Sequence, residues 1–201
     1  MTPPAPVSRD TLKSIAQPPA GPASPLRRLL AYRVFLLLVA AVLALDQATK
    51  AWIESRLPFG IYPGEPGAIP VIRGFFYLVH VGNTGAAWSL FSGRSSALAF
   101  LAAATLLAIF LWRRQLGLRQ TAVQVSFGLL CGGILGNLTD RLLHHGQVID
   151  FLDFHFGRYT YPTFNVADSG ICVGVGLYVL HSLRTPAEGQ IPRAKNPKAK
   201  E

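Results

Sequence analysis

Residues 96–112 read SALAFLAAATLLAIFLW, and Ser96 and Thr105 are the polar residues in this run. A helix rises about 1.5 Å per residue, so roughly 20 apolar residues cross the hydrocarbon core of a bilayer. The run is therefore predicted to be a transmembrane helix. The whole chain of 201 residues is 50% hydrophobic and 14% charged, whereas soluble domains are roughly 25% charged. This composition argues against a disordered chain and against an ordinary soluble domain.

Three other stretches are long and apolar enough to cross a membrane. They are residues 32–52, Ala122–Leu143 and Phe164–Leu183. The first follows a pair of arginines, as in a signal peptide, but no small-residue cleavage site comes after it. We therefore predict an all-α membrane protein with four transmembrane helices and with both termini on the same side.

The basic residues set the expected orientation. Thirteen of the 19 Lys and Arg lie before the first span, between the second and third spans, or after the fourth. Because basic loops stay in the cytoplasm, both termini are expected there. The net charge of +9 then reflects topology, and no nucleic-acid partner is expected. Residues 1–26, rich in Pro and Ala, are predicted to be a flexible tail, 27–184 the transmembrane domain and 185–201 a basic tail.

The two segments predicted to lie outside differ in length and character. Residues 55–95 begin with turn-forming Pro and Gly and continue as a β-rich run, Val71–Val81. Both faces of this run are apolar or aromatic, which predicts a small sheet at the membrane interface in the first outer loop. Residues 144–163 are shorter and carry Asp150 and Asp153.

Acidic residues near the outer ends of the spans are the main functional signal. Ionisable groups within a bilayer are costly, by about 2.5–3.5 kcal/mol for a central Asp on insertion scales. Asp46, Asp140 and Asp168 lie at similar predicted depth on three helices, and Asp150 lies on an adjoining loop. These side chains can therefore converge on one place near the outer interface.

Each of these residues also has a purely structural interpretation. Asp46 and Lys50 are four residues apart on one helical face and can form an ion pair. Asn165 followed by Asp168 resembles a helix N-cap with an acid in the first turn. A further set of neighbouring polar residues comprises Asn137, Asp140 and Arg141. A structural hydrogen-bonded cluster at the end of a span explains this set as well as catalysis does.

Two carboxyl groups that lie close together in low dielectric cannot both ionise, so one keeps its proton near neutral pH. Such a pair supplies a general acid and a general base, as in aspartic proteases. The residues alone do not select Asp150 over Asp140 or Asp153. The five histidines show no metal-binding spacing, so no metal site is expected.

Five stretches of the chain resemble, in order, the bacterial lipoprotein signal peptidase (signal peptidase II) family of inner-membrane aspartyl proteases. They are Asp46–Trp52, Asn83–Ser89, Gly132–Arg141, Val148–Phe151 and Phe164–Asp168. The resemblance implies that Asp150 and Asp168 are the catalytic pair. It also implies a set of pocket or supporting residues: Asp46, Lys50, Asn83, Gly85, Asn137, Asp140, Arg141, Asn165 and Ala167. The departures are small, with Thr49 where the family often has Ser and Trp88 where it often has Phe.

The resemblance also implies the substrate and the compartment. The substrate would be a prolipoprotein whose lipobox cysteine carries a diacylglyceryl group, cleaved just before that cysteine. No cofactor is implied, membrane lipid is the surrounding partner, and nothing in the sequence requires more than a monomer. The enzyme would lie in the cell inner membrane with its active site near the periplasmic face.

Other classes of function fit the sequence less well. Intramembrane carboxylates also mark small transporters and proton-coupled channels, but the acids here cluster at one side and no inverted repeat is visible. A catalytically inactive scaffold that binds lipoproteins is disfavoured because both Asp150 and Asp168 are present. The presenilin and prepilin-peptidase class is disfavoured because its Gly-x-Gly-Asp signature is missing.

Overall fold

A computed structural model of the chain describes residues 29–184. Its four long helices are α1 (Arg33–Arg56), α2 (Ser95–Trp112), α3 (Thr121–Leu143) and α4 (Val166–Arg184). Each is long and apolar enough to cross a membrane. The four predicted helices are thus confirmed, with ends that differ by only a few residues. The predicted tails, 1–26 and 185–201, lie outside the described residues.

Helix α3 packs against each of the other three helices, and its glycines allow the close approach. A Cβ atom at Gly136 would lie 2.5 Å from Asp46 Oδ2, and one at Gly133 would collide with the backbone oxygen of Ala167. Small residues at helix interfaces let the backbones come together in this way. The glycines therefore bring α1 and α4 directly against the part of α3 that carries Asn137 and Asp140.

A four-stranded antiparallel sheet lies at the end of the helices where α1 and α3 finish and where α2 and α4 start. Its strands, in spatial order, are β1 (Ile69–Ile72), β2 (Phe76–Asn83), β3 (Val148–Phe156) and β4 (Tyr159–Thr160). The predicted β-rich element corresponds to β1 and β2, which are separated by a turn at 73–75. Strands β3 and β4 lie in the connection between α3 and α4 and were not predicted from the sequence.

The register of β3 determines which of its side chains face the helices. Ile149 and Phe151 are buried against Ile53 and Leu57 from the end of α1. Because side chains alternate along a strand, Asp150 points to the other face. Val148 pairs with Asn83 of β2, which brings the Asn83 side chain next to Asp150.

Candidate active site

A cavity of about 720 Å³ lies between the sheet and helices α2, α3 and α4. Asp150 and Asp168 both line it, together with Asn137 and Arg141 from α3. The cavity is also lined by apolar side chains from α2, α3 and α4: Leu98, Leu101, Ala102, Ile134 and Ile171. The cavity therefore combines two carboxyl groups with an apolar surface.

Asp150 is held on β3 by two side-chain amides. Its Oδ2 atom accepts a hydrogen bond from Asn83 Nδ2 at 3.1 Å, and its Oδ1 atom accepts one from Asn165 Nδ2 at 2.7 Å. Burial raises the pKa of Asp150 to about 7, and the nearby charge of Asp168 contributes in the same direction. The two amide hydrogen bonds and the charge of Lys50 act in the opposite direction. Asp150 therefore exchanges its proton in the physiological range.

Asp168 lies in the first turn of α4 and takes part in the helix cap. Its backbone N–H donates to Asn165 Oδ1 at 2.9 Å, and the Asn165 N–H donates to Asp168 Oδ2 at 3.2 Å. This reciprocal pair is a capping arrangement. The remaining oxygen, Oδ1, accepts a hydrogen bond from Asn137 Nδ2 at 2.7 Å. Asp168 thus has the capping role expected from the sequence and still lines the cavity.

Asn165 connects the two carboxyl groups. Its side chain is fully buried and donates to the carboxylate of Asp150, while its backbone N–H donates to the carboxylate of Asp168. Its amide also lies 3.2 Å from Asn137 Oδ1. One asparagine therefore fixes the position of β3 relative to the start of α4.

A buried ion cluster supports this arrangement from α1. Lys50 Nζ lies 2.8 Å from Asp46 Oδ2 and 2.8 Å from Asp140 Oδ2, and it donates to Asn137 Oδ1 at 3.2 Å. An ammonium group has three N–H donors, so these three oxygens match its capacity. The ion pair between Asp46 and Lys50, one of the two interpretations from the sequence, is confirmed.

Asp46 and Asp140, the two carboxylates of this cluster, each bond to the backbone next to Asp168 or Asp150. Asp46 Oδ1 accepts the N–H of Ala167 at 2.9 Å, and Ala167 precedes Asp168. Asp140 Oδ2 accepts the N–H of Ile149 at 3.0 Å, which precedes Asp150. Lys50 therefore links the two peptide segments that carry Asp150 and Asp168.

Gln47 is a member of this cluster that the sequence analysis did not single out. Its Nε2 atom donates to Asp140 Oδ1 at 2.8 Å and lies 3.2 Å from Asp46 Oδ2. Its position directly after Asp46, within the Asp46–Trp52 stretch, could have indicated this role. A buried acid in a membrane span needs hydrogen-bond donors, and Gln47 is a neighbouring donor.

Arg141 and Gly85, which both line the cavity, form a second connection. Arg141 Nη2 donates to the backbone oxygen of Gly85 at 2.9 Å, and the Gly85 N–H donates to Asn83 Oδ1 at 2.8 Å. The chain between β2 and α2 is thereby tied to α3 and to the asparagine that contacts Asp150.

The geometry also separates the acids that the sequence could not. Asp150 shares Asn165 with Asp168, whereas Asp140 belongs to the lysine cluster. Asp153 bonds instead to His155 and Thr163. Among residues 29–184, no group of three or more His, Cys, Asp or Glu side chains is placed to hold a metal ion.

Comparison with known proteins shows the family of this chain. The model of the signal peptidase (SPase) II family matches residues 38–184. The lipoprotein signal peptidase of Nitratidesulfovibrio vulgaris (strain DP4) is 38% identical over 162 residues, which cover 79% of this chain and 94% of the relative. This chain belongs to the signal peptidase II family. The lipoprotein signal peptidase of Desulforapulum autotrophicum is 44% identical over 146 residues, covering 70% of this chain and 85% of that protein.

Solved structures extend the signal peptidase II similarity to the fold. A bacterial membrane enzyme determined at 2.3 Å resolution matches with a TM-score of 0.68 and 30% identity, covering 80% of this chain and 94% of that one. A second, at 1.9 Å resolution, has a TM-score of 0.64 and 31% identity, covering 75% and 92%. The predicted family and the predicted enzyme class, an aspartic endopeptidase of the signal peptidase II type, are confirmed. The four apolar helices fit a multi-pass membrane protein.

Proposed function

We propose that this chain removes signal peptides from diacylglyceryl-modified prolipoproteins and cleaves just before the lipidated lipobox cysteine. Asp150 and Asp168 are the proposed catalytic residues. The observation that carries this proposal is the presence of both carboxyl groups on one cavity, joined through Asn165. The domain that performs the reaction comprises residues 27–184.

The proposed reaction needs the pair to hold one proton. The ionised carboxylate takes a proton from water as the water oxygen attacks the scissile carbonyl carbon, and the protonated carboxyl group donates to the carbonyl oxygen. When the tetrahedral intermediate collapses, the C–N bond breaks. The leaving nitrogen then takes the proton that came from water, and the carbonyl oxygen returns its proton to the pair. The pair ends with one proton, as it began.

The environment of Asp150 supports this cycle. Its pKa of about 7 allows proton exchange in both directions near neutral pH, which is what a general acid or base requires. Because the two groups are coupled, their protons are released in steps that belong to the pair. The supporting residues set the geometry. Asn137 and Asn165 orient the carboxyl groups, and Lys50 links their backbones through Asp46 and Asp140.

The remaining residues of the site are assigned to the substrate. Asn83, Gly85 and Arg141 line the cavity, and Asn83 bonds to Asp150. Their backbone and side-chain polar groups can bond to an extended peptide. The apolar wall formed by Leu98, Leu101 and Ile171 suits the acyl chains or the apolar part of the signal peptide. A monomer supplies every group that this mechanism uses.

The proposed setting is the cell inner membrane, with both termini in the cytoplasm and the active site near the periplasmic face. The basic residues that flank the spans support this orientation. A lipidated cysteine is held at the membrane interface by its acyl chains, and the proposed orientation brings the carboxyl pair to that depth.

Mass spectrometry of the products tests the proposed substrate and bond. The purified chain in nanodiscs is incubated with a diacylglyceryl prolipoprotein peptide and, separately, with the same peptide lacking the lipid. We expect the lipidated peptide alone to yield a fragment that begins with the modified cysteine. Cleavage at another bond, or equal cleavage of the unmodified peptide, would contradict the proposal.

A further inference from the structure

Asp153 is buried on β3, three residues after Asp150, and forms a hydrogen-bond network outside the carboxyl pair. Its exposed fraction is 3%. Its Oδ1 atom accepts a hydrogen bond from the Thr163 hydroxyl at 2.9 Å, and its Oδ2 atom lies 2.5 Å from His155 Nε2. His155 Nδ1 lies 3.3 Å from the Thr160 hydroxyl. This network connects β3 to the chain that returns from β4.

A hydrogen on Nε2 of the imidazole satisfies these contacts. The Nε2–H donates to the Asp153 carboxylate, and Nδ1 bonds to the Thr160 hydroxyl, which can donate or accept. Thr163 donates to the other carboxylate oxygen. The buried carboxylate is thus matched by donors, as a buried acid requires.

The segment that this network holds is a wall of the cavity. Residues 161–164 all line the cavity, as do Leu98 and Leu101 of α2. Each end of this segment is fixed to β3 through the backbone: the Tyr161 N–H donates to the Phe154 oxygen at 2.9 Å, and the Phe164 N–H donates to the Leu152 oxygen at 3.1 Å. Between these ends, Pro162 has no N–H to donate, and Thr163 is attached to β3 by its side chain.

We propose that Asp153 and His155 are positioning residues that hold the 161–164 wall in the shape that binds the substrate; this role rests on the proposed function. The proposed catalytic pair has side-chain contacts of its own, to Asn83, Asn137 and Asn165, none of which involves Asp153 or His155. Loosening the wall therefore weakens substrate binding and leaves the chemical step nearly unchanged.

Steady-state cleavage kinetics of four variants test this role. The wild-type chain in the same assay tests the proposed function itself, because its failure to cleave would contradict that function and not the positioning role. Asp153→Ala should raise KM about fivefold to tenfold, the size expected from losing one or two net hydrogen bonds, with kcat within about twofold. Asp153→Asn should be close to wild type, because an amide can accept from Thr163 and donate to the imidazole. Thr163→Val should raise KM by a smaller factor. Thr139→Val is the matched control, because its hydroxyl bonds within α3 to Leu135.

The variants separate positioning from a catalytic or a purely structural role. An unchanged KM in both Asp153→Ala and Thr163→Val would overturn the proposal. A large fall in kcat at unchanged KM in Asp153→Ala would also overturn it, by placing Asp153 in the chemical step. If Asp153→Ala does not fold, Thr163→Val decides the question by the same KM criterion.

Discussion

Replacement of Lys50 by Met removes one buried charge with little change in side-chain size. In the wild-type chain, the ammonium group is surrounded by Asp46, Asp140 and Asn137 at 2.8, 2.8 and 3.2 Å. Both aspartates have an exposed fraction of 0%, so the variant leaves two buried carboxylates without their cation. Removing one partner of a buried ion pair lowers the free energy of unfolding by about 3–5 kcal/mol.

The loss of stability should be visible in thermal unfolding of the purified chain in detergent. For a chain of this size, 1 kcal/mol shifts the Tm by roughly 2–4 °C, so a decrease of about 10 °C is expected. We also expect cleavage to be weakened, because Asp46 and Asp140 hold the backbone beside each member of the pair. Cleavage should not be abolished, because the asparagine contacts to Asp150 and Asp168 remain.

A matched variant shows whether the unpaired charges are the cause. Combining Lys50→Met with Asp46→Asn and Asp140→Asn removes all three charges and should recover part of the lost Tm. The reasoning would be refuted if Lys50→Met unfolded at the wild-type temperature. A combined variant less stable than Lys50→Met would equally refute it.

Two further predictions concern Asp150 and the packing of α3. Burial raises the pKa of Asp150 from 3.8 to about 7, so the folded state holds this proton more tightly than the unfolded state. Ionisation of Asp150 therefore lowers the free energy of unfolding as the pH rises from about 4 to 7. The Tm of Asp150→Asn minus that of wild type should therefore increase over this range and level off above it, and a difference independent of pH would contradict the assignment. The pH–rate profile of the wild-type enzyme should correspondingly show an apparent pKa near 7. Gly136→Val should lower the Tm and the cleavage rate, because even a Cβ atom would lie 2.5 Å from Asp46 Oδ2; Gly176→Val on α4, where a Cβ meets nothing within 4 Å, is the control and should leave both unchanged.

The helices could be predicted from the sequence because a membrane span requires a long apolar run, which composition reveals directly. The sheet was predicted only in part. In β3, polar Asp150, Asp153 and His155 interrupt the period-two alternation by which a strand is recognised. What makes this segment a strand is its long-range pairing with β2, which local patterning does not contain.

The members of the site could be predicted as a group, but their arrangement could not. Depth in the membrane indicated that Asp46, Asp140, Asp150 and Asp168 converge. Charge and depth alone left Asp140 and Asp153 open beside Asp150, and it was the family resemblance that selected Asp150. The register of β3 and the position of Asn165 add the physical distinction between these acids. Lys50 contacts Asp46 within α1 and Asp140 on α3. The contact with Asp140 joins segments far apart in the sequence, so residue spacing could not predict it.

Cleavage of a diacylglyceryl prolipoprotein by the Asp150→Asn and Asp168→Asn variants in nanodiscs is the most direct measurement of the proposed catalytic pair. Each variant should be expressed, fold and bind the substrate but produce no cleaved product, whereas Asp153→Asn cleaves at close to the wild-type rate. Full activity in either Asp150→Asn or Asp168→Asn would contradict the assignment of these two carboxyl groups as acid and base.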